Sequence, residues 1–499
     1  MAYEHFWEQY VQHMRDMRGV EEAIALMHWD MRTIGVRKGS AWRAESIGIL
    51  TAHHMTLATS EQLGAWIEEL RTAPIAVWQR ASVARMAHRY ERLRAIPLEE
   101  YKAFVIACAE AETMWERGKS EGDFTLFRPY LERIVAFARA FAKQWGAGAA
   151  HPYDAWLADD DPNMTVARLD PLFGALRAEL VPFMQDIAHA QQRGQSLPRV
   201  PISMQRTAQE QLLALIGFDA SAGRIDESAH PFMTAINPCD VRVTTRYSED
   251  DCTSALFSTL HEGGHALYEQ RIAPMFHGTN VCTGASLAMH ESQARLWENV
   301  IGRSPAFWNA HFRTLQSWMP PLRDTSIGHF VSAINSVQPS PIRTEADELT
   351  YNVHIMIRYE LEKQLMSGAL DVAQLPQAWN EAYARDLGIV PRDEAHGVFQ
   401  DVHWAGGAFG YFPSYTLGNL IAAHIWETMC EAGLGTQLHD IPKIVHWLTE
   451  HVYTHGATMH TDAFLDRVCN DTLDTAPFMR YVKDKYEGLM HVGQTPRIQ

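Results

Sequence analysis

At 499 residues, with 46% hydrophobic and 21% charged side chains, the chain has a soluble globular balance and enough apolar residues for a substantial core. Its 43 basic and 60 acidic residues leave a formal charge of -17 with no long basic run, which speaks against nucleic acid or anionic membrane surfaces as partners. The N-terminus "MAYEHFWEQYVQHMRDMRG" lacks an apolar signal core, and no apolar stretch reaches the roughly eighteen residues of a membrane span. Six cysteines without C-x-x-C spacing read as reduced, structural thiols of a cytoplasmic protein.

The chain reads as one body, 1–499, with a helical portion to about residue 200, a small β element from about 200 to 250, and a helical remainder carrying the chemistry. The proline-flanked "QSLPRVPISMQ", 195–205, is the best boundary. In "SAHPFMTAINPCDVRVTTRY", 228–247, the alternation of Val241, Arg242, Val243 and Thr244 predicts a strand or hairpin. Ser248 followed by Asp251 resembles a capping box, so a helix is expected to begin near residue 250. In "FSTLHEGGHALYEQ", 257–270, Leu256, Leu260, Gly264 and Leu267 form one helical stripe beside Phe257, His261, His265 and Tyr268. Next, "GASLAMHESQARLWENVIG", 284–302, aligns Leu287, Ala294, Trp297 and Ile301. "LTYNVHIMIRYELEKQLMSG", 349–368, aligns Val353, Ile357, Leu361 and Leu365 and ends in a Ser-Gly stop. A last helix is expected from Pro477 to Leu489.

His261 and His265 are four residues apart, so they project about 40° from each other around the helix and are able to share a ligand. H-E-x-x-H on a helix is the zinc hydrolase pattern, in which two imidazoles bind Zn²⁺ and the glutamate, here Glu262, activates a metal-bound water. Gly263 and Gly264 each cost about 1 kcal/mol against alanine in a helix, so something must approach closely. Gly264 is expected to serve packing, and Gly263 to lie nearer the substrate. The 284–302 helix, packed antiparallel, brings His290 or Glu291 against the histidines. Glu291 is the better ligand because two histidines, a glutamate and an open water position suit peptide hydrolysis.

"HEGGHALYEQ" followed by "HESQARLWEN" resembles the carboxypeptidase Taq family of zinc metallocarboxypeptidases. "DVRVT" at 240–244, "IRTEAD" at 342–347 and "GVFQDVHW" at 397–404 are similar to three further motifs of that family, in the same order, and "HWD" at 28–30 is a weaker echo. Gly263 departs from the pattern, which has a larger residue there. The resemblance implies a mainly α fold of the neurolysin and angiotensin-converting-enzyme type, with a deep substrate groove and a small β-sheet beside the active site. It also implies removal of single C-terminal residues, broad specificity with proline disfavoured, and a homodimer. It assigns Zn²⁺ to His261, His265 and Glu291, with Co²⁺ or Mn²⁺ as possible substitutes.

A carboxypeptidase must neutralise the peptide's terminal carboxylate, for which arginine offers a planar fork. Arg242 and Arg343 occupy the matching motif positions. Glu262 is the expected general base. His403, Tyr415 and His230 are candidate donors to the oxyanion or substrate, and Asp240, Asp347 and Asp401 are candidates to orient arginines or histidines. Two other readings share parts of this pattern. An oligopeptidase keeps the metal triad without carboxylate recognition, and a helical binding protein has a closed structural site, which is usually cysteine-rich.

Overall fold

The computed structural model describes residues 2–146, 148–161, 163–191, 196–436 and 438–492. Helix accounts for 69% of the chain and strand for 3%, so the class is mainly α with one small sheet. The chain divides into two compact units that alternate along the sequence. The first comprises Met1–Arg94, Ser196–Ile334 and Ile421–Thr472; the second comprises Ala95–Gln195, Asn335–Leu420 and Leu473–Gln499. One crossing falls at the start of the proline-flanked stretch, but the units do not follow the divisions expected near 200 and 250.

The first unit is built around the motif helix Cys252–Gln270, which packs against the helices Ile202–Leu215 and Leu287–Arg295 and against the sheet. The sheet contains β1 (Gly223–Glu227), β2 (Met233–Asn237) and β3 (Asp240–Thr245). β3 is central, parallel to β1 and antiparallel to β2. Val241 and Val243 of β3 are buried, while Arg242 between them faces the other side, opposite Arg224 of β1 and Thr234 of β2. The expected hairpin is therefore β2–β3. β1 precedes the predicted stretch, and part of the expected β element is instead the helix Ile202–Leu215. Its buried Gln205, Ala208, Gln209, Leu212 and Leu213 recur at helical, not strand, spacing. The entry to the motif helix also differs. Asp251 itself is the N-cap, accepting from the amides of Thr253 and Ser254, while the Ser248 carbonyl accepts from Gln205.

The second unit centres on the helix Glu348–Ser367, which packs against the helices Val166–Ala190, Phe124–Trp145 and Leu375–Asp386. Neighbours on several sides explain why its expected stripe of Val353, Ile357, Leu361 and Leu365 is buried together with Arg358 and Glu362. Gly368, at φ 82°, supplies the left-handed stop read from the sequence. The last helix of this unit is Ala476–Val492, longer at both ends than expected. Among the described residues no helix is long and apolar enough to cross a membrane.

Candidate active site

His261 and His265 stand one turn apart on the motif helix, and the antiparallel helix Leu287–Arg295 brings Glu291 against both. Glu291 Oε2 lies 3.9 Å from His261 Nε2 and 3.7 Å from His265 Nε2. The three ligand atoms all lie within 4.8 Å of one another. The two glycines explain this closeness. A Cβ on Gly264 would stand 2.5 Å from the Gln293 carbonyl oxygen and 2.8 Å from Ala294 Cα, so this glycine lets the helix bearing Glu291 approach. Gly263 does not face substrate as expected. Its missing Cβ would meet Ile216 Cδ1 at 2.7 Å and Leu213 Cδ2 at 2.9 Å, the tips of side chains on the neighbouring helix and the residue after it.

Each of these three side chains has its other polar atom occupied. His261 Nδ1 is 2.9 Å from Glu298 Oε2, and Arg295 Nε donates to Glu291 Oε1 at 2.6 Å. His265 Nδ1 is 2.6 Å from His290 Nδ1, and His290 Nε2 is 2.9 Å from Glu269 Oε1. Glu298 sits on a π-helical turn, Leu296–Ile301, that continues the Glu291 helix, and Arg295 also donates to it at 3.1 Å. Two Nε2 atoms and one carboxylate oxygen are thereby left to converge. Tetrahedral ligands about 2.1 Å from Zn²⁺ stand about 3.4 Å apart, so this spacing and donor set fit the ion with a small contraction.

Burial dominates the electrostatics. It pushes the Glu262 carboxyl up to about 7, with Glu291 and Glu298 adding to the rise and His261 opposing it. For His261 burial acts downward but is outweighed by Glu291 and Glu298, and the value rises to about 9. A cation at Nε2 must displace that proton. Glu298, although buried, is held well below the usual carboxylate range by Arg295 and His261. Burial, reinforced by His290, pushes His265 well down.

Arg242 belongs to the same unit. Its Nε and Nη2 donate to Asp240 at 2.8 and 2.7 Å, and its guanidinium lies 4.5 Å from the ring centre of Trp29, within the "HWD" echo. His230 is exposed in the loop between β1 and β2, where its carbonyl accepts from Ser228.

The second unit gathers Arg343, His403 and Tyr415. Arg343 lies in a short turn, Arg343–Glu345, before the long helix, and is 7% exposed. It donates to Asp401 Oδ1 through Nε and Nη2 at 2.9 and 2.6 Å and to the Tyr351 hydroxyl at 3.1 Å, and its guanidinium is 5.2 Å from the Tyr415 ring centre. The other oxygen of Asp401 takes Arg358 Nε at 2.7 Å. His403 lies against Phe412 at 4.5 Å between ring centres, and burial lowers its pKa to about 4. Asp240 and Asp401 thus orient arginines as expected, but Asp347 does not. It caps the helix Glu348–Ser367 through the amides of Leu349 and Thr350. Glu269, Glu298 and Arg358 were not singled out from sequence. A weak signal was present, since Glu269 continues the His261, His265 spacing by four and Glu298 follows Glu291 by two turns.

A family model described as carboxypeptidase Taq (M32) metallopeptidase matches residues 9–486. Carboxypeptidase 1 of Bacillus subtilis is 41% identical, with 94% of this chain and 95% of that protein covered. The thermostable carboxypeptidase 1 of Thermus thermophilus is 37% identical over 98% of this chain and 100% of its own length. The crystal structure of the M32 carboxypeptidase from Deinococcus radiodurans superposes with a TM-score of 0.94 at 33% identity, covering 97% of this chain and 99% of that one. With the family model matching residues 9–486 and these relatives covered over nearly their whole length, the chain belongs to the carboxypeptidase Taq family and is a metallocarboxypeptidase, a metal-dependent peptide hydrolase.

Proposed function

We propose that the protein releases single residues from the C-termini of peptides bearing a free carboxylate, with Zn²⁺ on His261, His265 and Glu291 and Glu262 as general base. The observation that carries this reading is the convergence of two imidazole Nε2 atoms and one carboxylate oxygen, their other polar atoms already occupied, on the helix face next to buried Glu262. Zn²⁺, or Co²⁺ or Mn²⁺ in its place, supplies Lewis acidity toward the scissile carbonyl and lowers the pKa of water. Glu262, buried beside these side chains, takes a proton from water and passes it to the leaving amine.

Carboxylate recognition is assigned to Arg242 and Arg343, both held rigid by aspartates. Arg242 Nη1 keeps no hydrogen bond among the described residues, which suits a substrate oxygen. His403 and Tyr415 are the candidate oxyanion donors, and His230 a substrate contact. The low value of His403 keeps it neutral at neutral pH, so it donates as an imidazole N–H. Broad C-terminal preference without proline, a homodimer and a cytoplasmic location complete the reading.

The test is to incubate metal-loaded protein with an N-terminally blocked peptide and its C-terminal amide, following products by mass spectrometry with Glu262→Gln as control. Stepwise loss of single residues from the free acid alone, abolished in the control, is expected. Equal cleavage of the amide, or internal cuts, would transfer the protein to the oligopeptidases.

A further inference from the structure

His265 and His261 are oriented differently. His261 Nδ1 meets a carboxylate directly, whereas His265 Nδ1 meets the imidazole of His290, and the carboxylate of Glu269 lies one step further away. Glu269 Oε1 also accepts from the Gly284 amide at 3.0 Å and the Thr283 hydroxyl at 3.2 Å, and Glu269 is 2% exposed. A buried carboxylate is expensive unless its charge is used, and its Oε2 has no hydrogen-bond partner among the described residues.

The proton positions follow from donor and acceptor counting. A carboxylate only accepts, so His290 Nε2 carries a hydrogen and donates to Glu269. For His265 Nε2 to hold a metal, the ring hydrogen of His265 must sit at Nδ1, and the 2.6 Å contact then needs His290 Nδ1 as its acceptor. His265 Nε2 is left with its lone pair toward Glu291 and His261. The reverse tautomer would place a hydrogen at Nε2, where a metal could not bind.

We infer that His290 and Glu269 are positioning residues that fix the metal-binding tautomer of His265 through a two-step hydrogen-bond relay. The inference rests on the reading of His265 as a metal ligand. It makes a specific demand on position 290, which must accept from one side and donate to the other. Glutamine does both through its amide. Leucine fills comparable volume and does neither.

The test is to measure Zn²⁺ affinity by chelator competition, together with the visible absorption of the Co²⁺-loaded protein, for wild type, His290→Gln, His290→Leu, Glu269→Gln and His265→Ala. His290→Leu is expected to weaken metal binding about 10- to 100-fold and perturb the Co²⁺ spectrum, while His290→Gln stays within a few-fold of wild type. Equal affinity of His290→Leu and wild type, or equal loss in the leucine and glutamine variants, would overturn the relay. Glu269→Gln retains the volume and one acceptor but not the charge, and covers the case in which His290→Leu fails to fold. A several-fold weaker affinity is expected there, and an unchanged one counts against the relay. His265→Ala separates the two claims, since unimpaired metal binding in that variant would remove the site reading itself.

Discussion

Asp401 is shared by two buried arginines, with one oxygen on Arg343 and the other on Arg358, which is 0% exposed. Burial alone would raise its pKa, but the two guanidinium groups outweigh it and hold the carboxyl far below the usual range. A depressed value means that its stabilisation is present above the unfolded carboxylate pKa and is lost as the pH falls below it. Replacing Asp401 by Asn leaves two buried cations uncompensated and is expected to cost about 3–5 kcal/mol, read as a lowered unfolding midpoint at neutral pH. Glu362 behaves in the opposite sense. It accepts from Trp404 Nε1 at 2.6 Å, from the Gly410 amide at 3.0 Å and from the Tyr153 hydroxyl, yet burial raises it from 4.5 to about 7. Its neutral form is favoured in the fold, so its contribution is full below about pH 4.5 and declines as the pH rises to about 7. Glu362→Gln cannot titrate. Whatever its constant loss from altered hydrogen bonding, its stability relative to wild type should improve by about 3 kcal/mol between pH 4.5 and 7. A pH-independent difference in unfolding midpoints would contradict this assignment.

The motif helix and the helix Leu287–Arg295 touch through Gly264, and the obstacle to a side chain there is backbone: the Gln293 carbonyl and Ala294 Cα. At Gly263 the obstacle is the ends of Ile216 and Leu213, which are able to rotate. Alanine at either position gains about 1 kcal/mol of helix propensity, so the two substitutions should diverge. Gly263→Ala is expected to remain within about 1 kcal/mol of wild type. Gly264→Ala must push the two helices apart and should lose about 1–3 kcal/mol, as overpacking does. Since Glu291 rides on the displaced helix, metal affinity should fall with it. Thermal unfolding and chelator competition on the two variants check both halves.

At the scale of the whole molecule, the framework around the motif helix is apolar packing between helices and sheet. The motif helix buries Leu256, Phe257, Leu260 and Leu267 at 2% exposure or less, and the sheet and the flanking helices pack on it. Removal of the metal with a strong chelator is therefore expected to abolish hydrolysis while leaving far-ultraviolet circular dichroism unchanged. The unfolding free energy should fall only by the lost binding free energy, about 4 kcal/mol for a ligand present at a thousand times its dissociation constant. Loss of helical signal on chelation would mean that the ion is part of the fold. The charge of -17 predicts colloidal solubility and weak attraction to polyanions, which a nucleic-acid retention measurement at low salt checks.

Helical periodicity and spacing, being local, were legible without a structure. They revealed His261 and His265 on one face, Glu291 on the following helix, the buried stripe of Glu348–Ser367 and the β2–β3 hairpin. The helix Ile202–Leu215 was obscured by two prolines that precede it, and β1 by charged residues that alternate weakly. Periodicity states which residues share a face but not what that face meets. The sequence by itself therefore determined the candidate ligand types and the presence of a close approach at the two glycines. Only the tertiary structure decided that Gly263 meets Ile216 rather than substrate, that Glu298 meets His261 and Glu269 meets His290, and that Arg358 shares Asp401 with Arg343. Those partners are separated by tens of residues, and their hydrogen bonds depend on positions of atoms set by packing, to which a local pattern is blind.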